Sequence, residues 1–453
     1  MKIVIVGGGK VGNTLASQLS KENHDIVVID NNISIGQRMV EQYDIMSISG
    51  NGASVEIQKE ADVGKSDLLI AVTSADEINI LCCILARKLG CKHTIARVRN
   101  PEYTQQMRFL KEELGLSMAI NPERTAAREI YRIIRFPSFL KLDSFARGIV
   151  ELVEIKIKED SILNGKRLGD YSSIVNVNSL VCVVEREGEA FIPKGNFELK
   201  ADDKITVTAA TNDLPRLIKT LGIEMPKVKN VMIIGGSRIA VYLAERLIQN
   251  GIDVKIIEQS FEKCKYLSER LPEALIINGD GTLQDTLISE DIKDTDAVVS
   301  LMNFDEGNIL ISIYAEYVGV KKTITKINRI EYKKMFNSSA VDTIVSPKLI
   351  SANEIIRYVR SMVDSKGGSV LAMHQVVNDK AEGLEFLADK TTKYLGEPFH
   401  NLPIKENVLV ACIARDGNVI IPKGDDYIYE GDSVIIVTSE NHSIFNLNDI
   451  FTE

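Results

Sequence analysis

Residues 2–12 read KIVIVGGGKVG, and this stretch decides the fold of the first part of the chain. A run of Ile and Val predicts a buried strand, and the glycine pattern GxGxxG after it predicts a tight turn into a helix. In this pattern Gly7 permits the turn, Gly9 lets the backbone approach a diphosphate, and Gly12 allows close helix–strand packing. Free N–H groups at the helix start favour an anion. The sequence therefore predicts a diphosphate on the loop of Gly7, Gly8, Gly9, Lys10, Val11 and Gly12.

Asp30 follows the glycines at the end of the apolar segment DIVVID, residues 25–30. A carboxylate at this place can accept hydrogen bonds from both hydroxyl groups of an adenosine ribose, and it repels a 2′-phosphate. This favours NAD(H) over NADP(H) as the ligand. Two alternatives stay open: a glycine turn that only packs tightly, and an adenosine site for another ligand.

Strand-like segments alternate with helical patterns as far as residue 135. The predicted strands are KIVIV, DIVVID, YDIMSIS, DLLIAVT and HTIARV. Alternating strands and helices predict a parallel, doubly wound sheet of the Rossmann type. After a predicted connecting helix, Glu123–Arg135, capped from Asn121, the pattern becomes mainly strands and turns. This change predicts a small α+β domain.

Three further side chains are candidates for nucleotide contact because they end predicted strands at the ligand edge of the sheet. Thr73 and Ser74 end the fourth strand, where short hydroxyl groups can reach a ribose or a base; the alternative is that they cap the helix starting near Asp76. Arg97 ends the fifth strand and can meet a phosphate with two hydrogen bonds. The alternative for Arg97 is a salt bridge to Asp76 or Glu77.

The second half of the chain repeats the first in order. IVGGGKVGNTLASQL matches IIGGSRIAVYLAERL, TIARVRNPEY matches TITKINRIEY, and an IPKG turn occurs near the end of each half. The chain is therefore a tandem duplication of an α/β domain followed by a small α+β domain. We predict four domains at residues 1–135, 136–225, 226–360 and 361–453, with residues Asp213 to Val228 separating the halves.

The glycine loop of the second half departs from the pattern of the first. It consists of Gly235, Gly236, Ser237, Arg238, Ile239 and Ala240. Ala at the last position is tolerated in such loops. Ser237 stands where Gly9 stands, and we expect its side chain to fill the phosphate space and to resist the positive φ angles open to glycine. Glu258 keeps the ribose-binding carboxylate, and Lys326 stands where Arg97 does. We therefore expect the second half to bind an adenine nucleotide, but more weakly or in an altered form because of Ser237.

Composition limits the function further. The net charge of −9 argues against nucleic-acid binding, and no apolar run reaches the ~20 residues of a membrane span. The start of the chain lacks the features of a secretory signal, so we expect a cytoplasmic protein. The six cysteines and five histidines lack metal-site spacing, so we expect no metal. No further domain offers a general acid or base for a dehydrogenase, and we expect a ligand sensor instead of an enzyme.

The chain resembles the TrkA family of bacterial potassium-uptake components, which pairs two regulator-of-potassium-conductance N-domains with two C-domains. The resemblance rests on MKIVIVGGGKVGNTLA, Asp30, AVTSADEIN, IARVRNPEY, the IPKG turns and the duplicated order, and it covers essentially the whole chain. In this family the nucleotide contacts fall on Gly7 to Val11, Asp30, Thr73, Ser74 and Arg97.

The resemblance implies a regulatory subunit that binds NAD(H), with ATP or ADP as further candidate ligands. It also implies a homo-oligomeric ring on the inner face of the cell membrane, beneath a potassium-translocating subunit of the TrkH/TrkG type. Two other classes of function stay open at this point: an NAD-dependent oxidoreductase, and a structural assembly protein whose nucleotide sites no longer bind.

Overall fold

A computed structural model of the chain describes residues 1–22, 24–100, 103, 113–136, 141–223, 227–329, 343–363, 370–376, 380–439, 444 and 446–452. The first domain contains a six-stranded parallel sheet in the order β3-β2-β1-β4-β5-β6. Its strands are β1 Lys2–Val6, β2 Asp25–Asp30, β3 Met46–Ser49, β4 Leu68–Ala71, β5 His93–Arg97 and β6 Met118–Ile120. Its helices are α1 Lys10–Lys21, α2 Ile33–Gln42, α3 Val55–Glu60, α4 Asp76–Leu89 and α5 Pro122–Arg135.

This sheet confirms the predicted Rossmann-type fold, with two differences at its edges. The third strand is shorter than YDIMSIS suggests and begins at Met46, and the sequence analysis missed the three-residue β6. The strand order reverses between β1 and β4. In doubly wound sheets ligands bind at such a reversal, beyond the carboxyl ends of the strands. The loop after β1 and the residues after β4 lie there.

The next domain is an antiparallel sheet in the order β10-β9-β11-β8-β7. Its strands are β7 Lys141–Phe145, β8 Val150–Lys156, β9 Ser179–Arg186, β10 Glu189–Phe191 and β11 Lys204–Ala210, and its helices are α6 Tyr171–Val175 and α7 Leu214–Thr220. The prediction that Asp213 to Val228 only separates the halves is wrong. Leu214, Leu217 and Ile218 are buried in the core of this domain, so α7 is part of it.

The second half repeats both architectures. Its parallel sheet has the order β14-β13-β12-β15-β16-β17, and its antiparallel sheet has the order β18-β19-β22-β20-β21. The strands of the parallel sheet are β12 Asn230–Ile234, β13 Asp253–Glu258, β14 Leu275–Asn278, β15 Ala297–Ser300, β16 Lys322–Lys326 and β17 Thr343–Val345. Its helices are α8 Arg238–Ile248, α9 Phe261–Arg270, α10 Gln284–Ser289, α11 Asp305–Tyr317 and α12 Pro347–Val363. The strands of the antiparallel sheet are β18 Val370–Val376, β19 Ala381–Leu387, β20 Val408–Arg415, β21 Asn418–Ile420 and β22 Ser433–Ser439.

The chain forms two compact units, and each combines equivalent parts of both halves. One unit contains Met1–Arg135 and Lys227–Ile356, and the other contains Phe136–Pro226 and Arg357–Glu453. The first unit therefore holds both parallel sheets, and the second holds both antiparallel sheets. The boundaries of the four domains given above remain a prediction.

Within the first unit, α5 of the first half packs on α8 of the second half. Ala127 and Ile130 of α5 are buried in one core with Leu243 and Leu247 of α8. The same core contains small side chains of both helices, such as Ala127, Ala240 and Ala244, and these let the helices approach closely. The second unit has a shared core too, in which Phe145 of β7 lies against Gly383 of β19: a Cβ at position 383 would lie 3.0 Å from the Phe145 ring.

Each antiparallel sheet contains an arginine paired with a buried aspartate, Arg186 with Asp203 and Arg415 with Asp432, and the first pair yields a test of the fold. Asp203, 1% exposed, accepts two hydrogen bonds from Arg186 at 2.8 and 2.7 Å and one from the Lys200 N–H at 2.8 Å. We predict that Asp203→Ala lowers the free energy of unfolding of its domain by about 1.5–3 kcal/mol, the usual contribution of hydrogen bonds to a charged group. Urea unfolding followed by circular dichroism measures this change.

The control for this prediction is Lys194→Ala, which removes a solvent-exposed pair with Glu406. Such pairs contribute less than about 1 kcal/mol, so this variant should unfold close to wild type. Equal effects of the two substitutions would contradict the importance of the buried pair.

Candidate functional site

The turn from β1 into α1 forms the floor of the candidate site. Gly7 has a φ of +103°, in the region that favours glycine, and its N–H donates to the Ile29 carbonyl at 2.8 Å. A Cβ on Gly12 would lie 1.9 Å from the Gly7 oxygen, so only glycine fits between helix and strand. The roles that the sequence assigns to these two glycines in shaping the turn agree with this geometry.

Gly9 and the two residues after it form the open side of the loop. Apart from Gly9 and its chain neighbours, no atom of the described residues lies within 4 Å of the place where a Cβ on Gly9 would stand. Gly9 is the N-cap of α1 and provides no side-chain hydrogen bond, so the first N–H groups of the helix face this open space. Lys10 is exposed on the first turn, whereas Val11 is buried beneath it. The open space and the free donors suit an anion.

Asp30 organises this loop in addition to ending β2. One carboxylate oxygen accepts the Gly8 N–H at 2.7 Å, and the other accepts the Asn32 N–H at 2.8 Å. Gly8 is itself packed tightly, because a Cβ there would lie 2.7 Å from Ile35. An ionised carboxylate has about four acceptor positions, and these two bonds use half of them. The group can therefore hold the loop and still accept ribose hydroxyls.

Thr73 and Ser74 lie after β4, next to the glycine loop: a Cβ on Gly7 would be 3.1 Å from the Thr73 nitrogen. The suggestion that they cap α4 is wrong, since Ala75 occupies the N-cap position and makes no side-chain cap bond. The Thr73 N–H and hydroxyl instead donate to the Asn79 side-chain oxygen at 2.8 and 2.7 Å. Thr73 is thereby held at the rim of the site.

Sequence reasoning missed the structural role of Asn79. This residue is fully buried in α4, and its amide nitrogen donates to the Arg97 carbonyl at 2.9 Å. It therefore ties the end of β4 to the end of β5. The signal was available in the sequence, because Asn308 recurs at the equivalent place and makes the same bonds to Met302 and Lys326.

Arg97 lies next to the residues after β4. The salt bridge to Asp76, which was the alternative for Arg97, is formed by Arg99 instead. The Arg97 guanidinium donates to the Thr73 carbonyl, and burial lowers the pKa of the group. Arg99 pairs with Asp76 at 3.6 Å, and the Asp76 carboxylate also accepts the Arg99 N–H at 2.7 Å. The Arg97 Nε is buried and has no hydrogen-bond partner in the described part of the chain. A buried donor of this kind suits an acceptor from a ligand.

The second half builds the same loop. Gly235 has a φ of +98°, and the Gly236 N–H donates to the Glu258 carboxylate at 2.8 Å. The other Glu258 oxygen accepts the Ser260 N–H at 2.9 Å. Glu258 therefore takes over the loop-holding role of Asp30, as its position in the sequence suggests. Ile239 is buried like Val11, and Arg238 begins α8 as Lys10 begins α1.

Ser237 differs from its expected behaviour. The argument from positive φ is wrong, because Gly9 has φ −63° and Ser237 has nearly the same backbone, with φ −77°. The change lies in the side chain. The Ser237 hydroxyl oxygen accepts the Ala240 N–H at 3.4 Å, which caps α8 and takes one donor away from a ligand. Its Cβ also stands where the first half has open space.

The rim of the second loop is also different, which the sequence analysis did not note. The Met302 N–H donates to Asn308 as the Thr73 N–H donates to Asn79, and a thioether takes the place of the Thr73 hydroxyl. Lys326 takes the place of Arg97 and donates to the Leu301 carbonyl at 3.2 Å. Burial lowers the pKa of this lysine. The two loops therefore have the same backbone hydrogen bonds but carry different polar side chains.

The cysteine side chains are packed in the interior of the protein. All six are buried, and burial raises the pKa of Cys82 to about 12, which leaves it protonated at neutral pH. Among the described residues no group of His, Cys, Asp and Glu side chains could hold a metal ion. Over that same part of the chain, no helix has the length and apolar character to cross a bilayer.

Known proteins match this chain over both halves. The TrkA-N domain family matches residues 3–122 and again 231–347, and the TrkA-C domain family matches residues 152–222. The chain is 32% identical to the Trk system potassium uptake protein TrkA homolog of Archaeoglobus fulgidus, over 100% of both chains. It is 30% identical to the Trk system potassium uptake protein TrkA of Haemophilus influenzae, over 100% of this chain and 98% of the relative.

Solved structures share the fold. The GsuK RCK domain superposes with a TM-score of 0.63 at 19% identity and covers 97% of this chain and 92% of its own. The GsuK channel bound to NAD gives a TM-score of 0.64 at 18% identity, over 97% of this chain and 76% of that chain. The duplicated architecture is therefore the same in these proteins.

The glycine geometry predicts different outcomes for substitutions at two neighbouring loop positions. Gly12→Ala forces a Cβ against the Gly7 oxygen and should lower the free energy of unfolding by about 1–3 kcal/mol, as overpacking usually does. Gly9→Ala meets open space at a negative φ and should change it by less than about 0.5 kcal/mol. Thermal unfolding of both full-length variants compares them, and equal destabilisation would contradict the assigned packing.

Proposed function

This chain belongs to the TrkA family, and on that premise we propose that it is a nucleotide-sensing regulatory subunit of a potassium-uptake system. The relatives named above are potassium-uptake proteins that match it from end to end. The observation that carries the sensing role is the loop of the first half, with its open anion space at Gly9 and the Asp30 carboxylate beside it. In this proposal the chain binds the nucleotide and does not catalyse a reaction on it.

NAD(H) is the ligand we assign to the first half. The diphosphate would lie on the N–H groups of residues 9–11, Asp30 would accept the adenosine ribose hydroxyls, and Thr73, Ser74 and Arg97 would approach from the strand ends. One solved neighbour with the same fold holds NAD, and another, of TM-score 0.51, holds ADP. ATP and ADP are therefore further candidates for this loop.

The second half binds nucleotide more weakly or in a different form. Ser237 fills part of the phosphate space and caps a helix donor, and Met302 removes a hydroxyl from the rim. Glu258 retains the ribose-binding carboxylate at its loop. Altered binding fits these changes better than complete loss does.

Nucleotide binding in one half can affect the other through a continuous set of contacts. Asn79 joins the ends of β4 and β5, the Arg99 carbonyl accepts a bond from the Asn121 amide at 3.4 Å, and that amide also donates to the Tyr242 hydroxyl at 3.2 Å. Tyr242 belongs to α8, which starts at the second glycine loop. A ligand that shifts the strand ends would thus displace the helix of the opposite half.

The partner in this proposal is a membrane potassium-translocating subunit of the TrkH/TrkG type, and the chain works as a homo-oligomeric ring on the cytoplasmic face of the membrane. Regulation then consists of a nucleotide-dependent shape of the ring that changes the conducting state of the partner. An NAD-dependent oxidoreductase would instead oxidise or reduce the nucleotide. A change in NADH absorbance with time in the presence of the chain would therefore indicate an enzyme, and a constant absorbance would indicate a binding protein.

The carboxylate contacts predict the effect of Asp30→Ala. The substitution removes the proposed ribose acceptors and the anchor of the Gly8 N–H, so NADH affinity should fall about 10- to 100-fold, the range of hydrogen bonds to a charged group. Titration calorimetry on the full chain measures it. Glu258→Ala is the matched control and should change NADH affinity much less. An unchanged dissociation constant for Asp30→Ala would refute the ribose assignment.

The regulatory role predicts that potassium flux through the reconstituted membrane partner depends on both the chain and the nucleotide. Coupling of about 1–3 kcal/mol would change the linked equilibrium about 5- to 150-fold. Proteoliposomes containing the partner, with and without this chain and NADH, give the measurement. Flux that ignores both additions would refute the regulatory proposal, and net oxidation of NADH would favour an enzyme.

A further inference from the structure

The second glycine loop lies next to a segment that carries a thioether and an aromatic ring. A Cβ on Gly235 would lie 3.1 Å from the nitrogen of Met302, the second residue after β15. The next residue of the turn, Gly236, donates its N–H to the Glu258 carboxylate at 2.8 Å. Phe304 occupies the N-cap position of α11, and its side chain is 49% exposed. The turn therefore borders a carboxylate and a segment with two large apolar side chains.

The side chains of Phe304 and Met302 meet over Gly307, in the first turn of α11. A Cβ at position 307 would overlap the Phe304 ring and would lie 2.9 Å from the Met302 methyl carbon. Gly307 is itself buried. Glycine weakens a helix relative to alanine, because it loses more conformational freedom on folding. The place of the Phe304 ring explains why α11 contains a glycine here.

The first half has neither this ring nor this glycine. Counted back from the equivalent asparagines of α4 and α11, three positions near the rim differ between the halves: Thr73 and Met302, Ala75 and Phe304, Ile78 and Gly307. Ile78 packs against the core of the first sheet. The Phe304 ring instead keeps about half of its surface exposed. The second half thus has an uncovered aromatic surface beside its glycine loop, where the first half has a small residue.

The groups at the second loop suit a ribose and a base better than a diphosphate. Glu258 accepts the N–H groups of Gly236 and Ser260, which leaves about half of its acceptor positions for ribose hydroxyls. Aromatic rings stack on nucleobases, and thioethers make favourable contacts with aromatic rings. The Ser237 hydroxyl already accepts the Ala240 N–H, so α8 has one donor fewer for phosphate oxygens.

We propose that the second loop binds adenosine 5′-monophosphate (AMP) in preference to a dinucleotide, with the ribose on Glu258 and the adenine stacked on Phe304 beside Met302. This inference rests on the proposed nucleotide-binding function and names the ligand class of the second loop. Adenine is the base because a carboxylate at the end of the second strand accepts the adenosine ribose in folds of this type. A single phosphate needs fewer helix donors than the diphosphate of NAD(H).

The Met302 methyl group gives a readout that is confined to the second loop. The chain contains 11 methionines, so the Met302 signal in the full chain, labelled with ¹³C at the methionine methyl groups, is assigned by its loss in Met302→Leu. Because this methyl group lies beside the Phe304 ring, a base stacked there changes its ring-current shift. AMP should move the signal in a saturable titration, and NADH should need a higher concentration for half of its effect. Half-saturation by NADH at a lower concentration than by AMP would overturn the preference.

Two substitutions of one residue separate stacking from simple packing. Phe304→Leu keeps an apolar side chain at the helix start but removes the aromatic face, and it should raise the AMP dissociation constant about 5- to 150-fold, the range of base stacking on an aromatic side chain. Phe304→Tyr keeps the face and should change the constant less than about threefold. A ring that only packs the start of α11 would give both variants the wild-type AMP affinity, which would overturn the proposal.

Two further variants test the geometry of the site with the same methyl titration. Gly307→Ala retains the Phe304 side chain but displaces its ring, so it should weaken AMP by at least about fivefold. The matched control is Tyr317→Ala, which removes an aromatic side chain, 86% exposed, at the other end of α11 and should leave AMP affinity unchanged. Equal effects of these two substitutions would contradict a site at Phe304.

The failure of this inference can be told apart from the failure of the proposed function. NADH that binds the full chain in calorimetry and is weakened by Asp30→Ala, while AMP leaves the Met302 signal unmoved, would overturn the AMP site and leave the sensing role of the first loop intact. Absence of binding of both nucleotides to the full chain would overturn the proposed function together with the AMP site.

Discussion

The hydrogen bond from the Gly8 N–H to the Asp30 carboxylate joins the end of β2 to the loop after β1, and the rest of the site depends on it. Gly7 can turn the chain only at a positive φ, and Gly12 can approach the turn only without a Cβ. These constraints leave the loop one shape, in which Gly9 borders open space and the helix donors point outward. The same bond recurs between Gly236 and Glu258. Both halves therefore hold their glycine loop with the same backbone-to-carboxylate hydrogen bond.

The duplicated halves share this loop geometry and differ in the side chains around the loop. Hydrogen bonds that hold backbone in place are the same in both halves: the carboxylate to the loop, and the buried asparagine between two strand ends. The groups that face the ligand space are not, because Ser237 and Met302 replace Gly9 and Thr73. Backbone-holding bonds fix the fold, whereas the ligand-facing groups can vary at small cost to stability. Under the proposed function, two unlike sites would allow a single chain to respond to more than one nucleotide state.

The fold and the first loop could be predicted from the sequence because local patterns encode them. The order of strand, glycines and helix predicted the turn between β1 and α1. The spacing from the glycines to Asp30 predicted that this residue ends β2. The conformation of Ser237 could not be read this way, since the GxGxxG pattern does not state which glycine needs a positive φ. Asn79 looked like an ordinary helix residue, although its recurrence as Asn308 was a usable signal. The packing of α5 against α8 depends on how the two halves fold together, which local sequence does not encode.

The central claim is that the first glycine loop holds a dinucleotide, and a crystal structure of the full chain grown with NADH tests it most directly. The account predicts electron density for a diphosphate over residues 9–11, an adenosine ribose within hydrogen-bond distance of Asp30, and weaker or different density at the loop that contains Ser237. Density for NADH at another place on the chain, or equal occupancy of both loops with the same contacts, would contradict it.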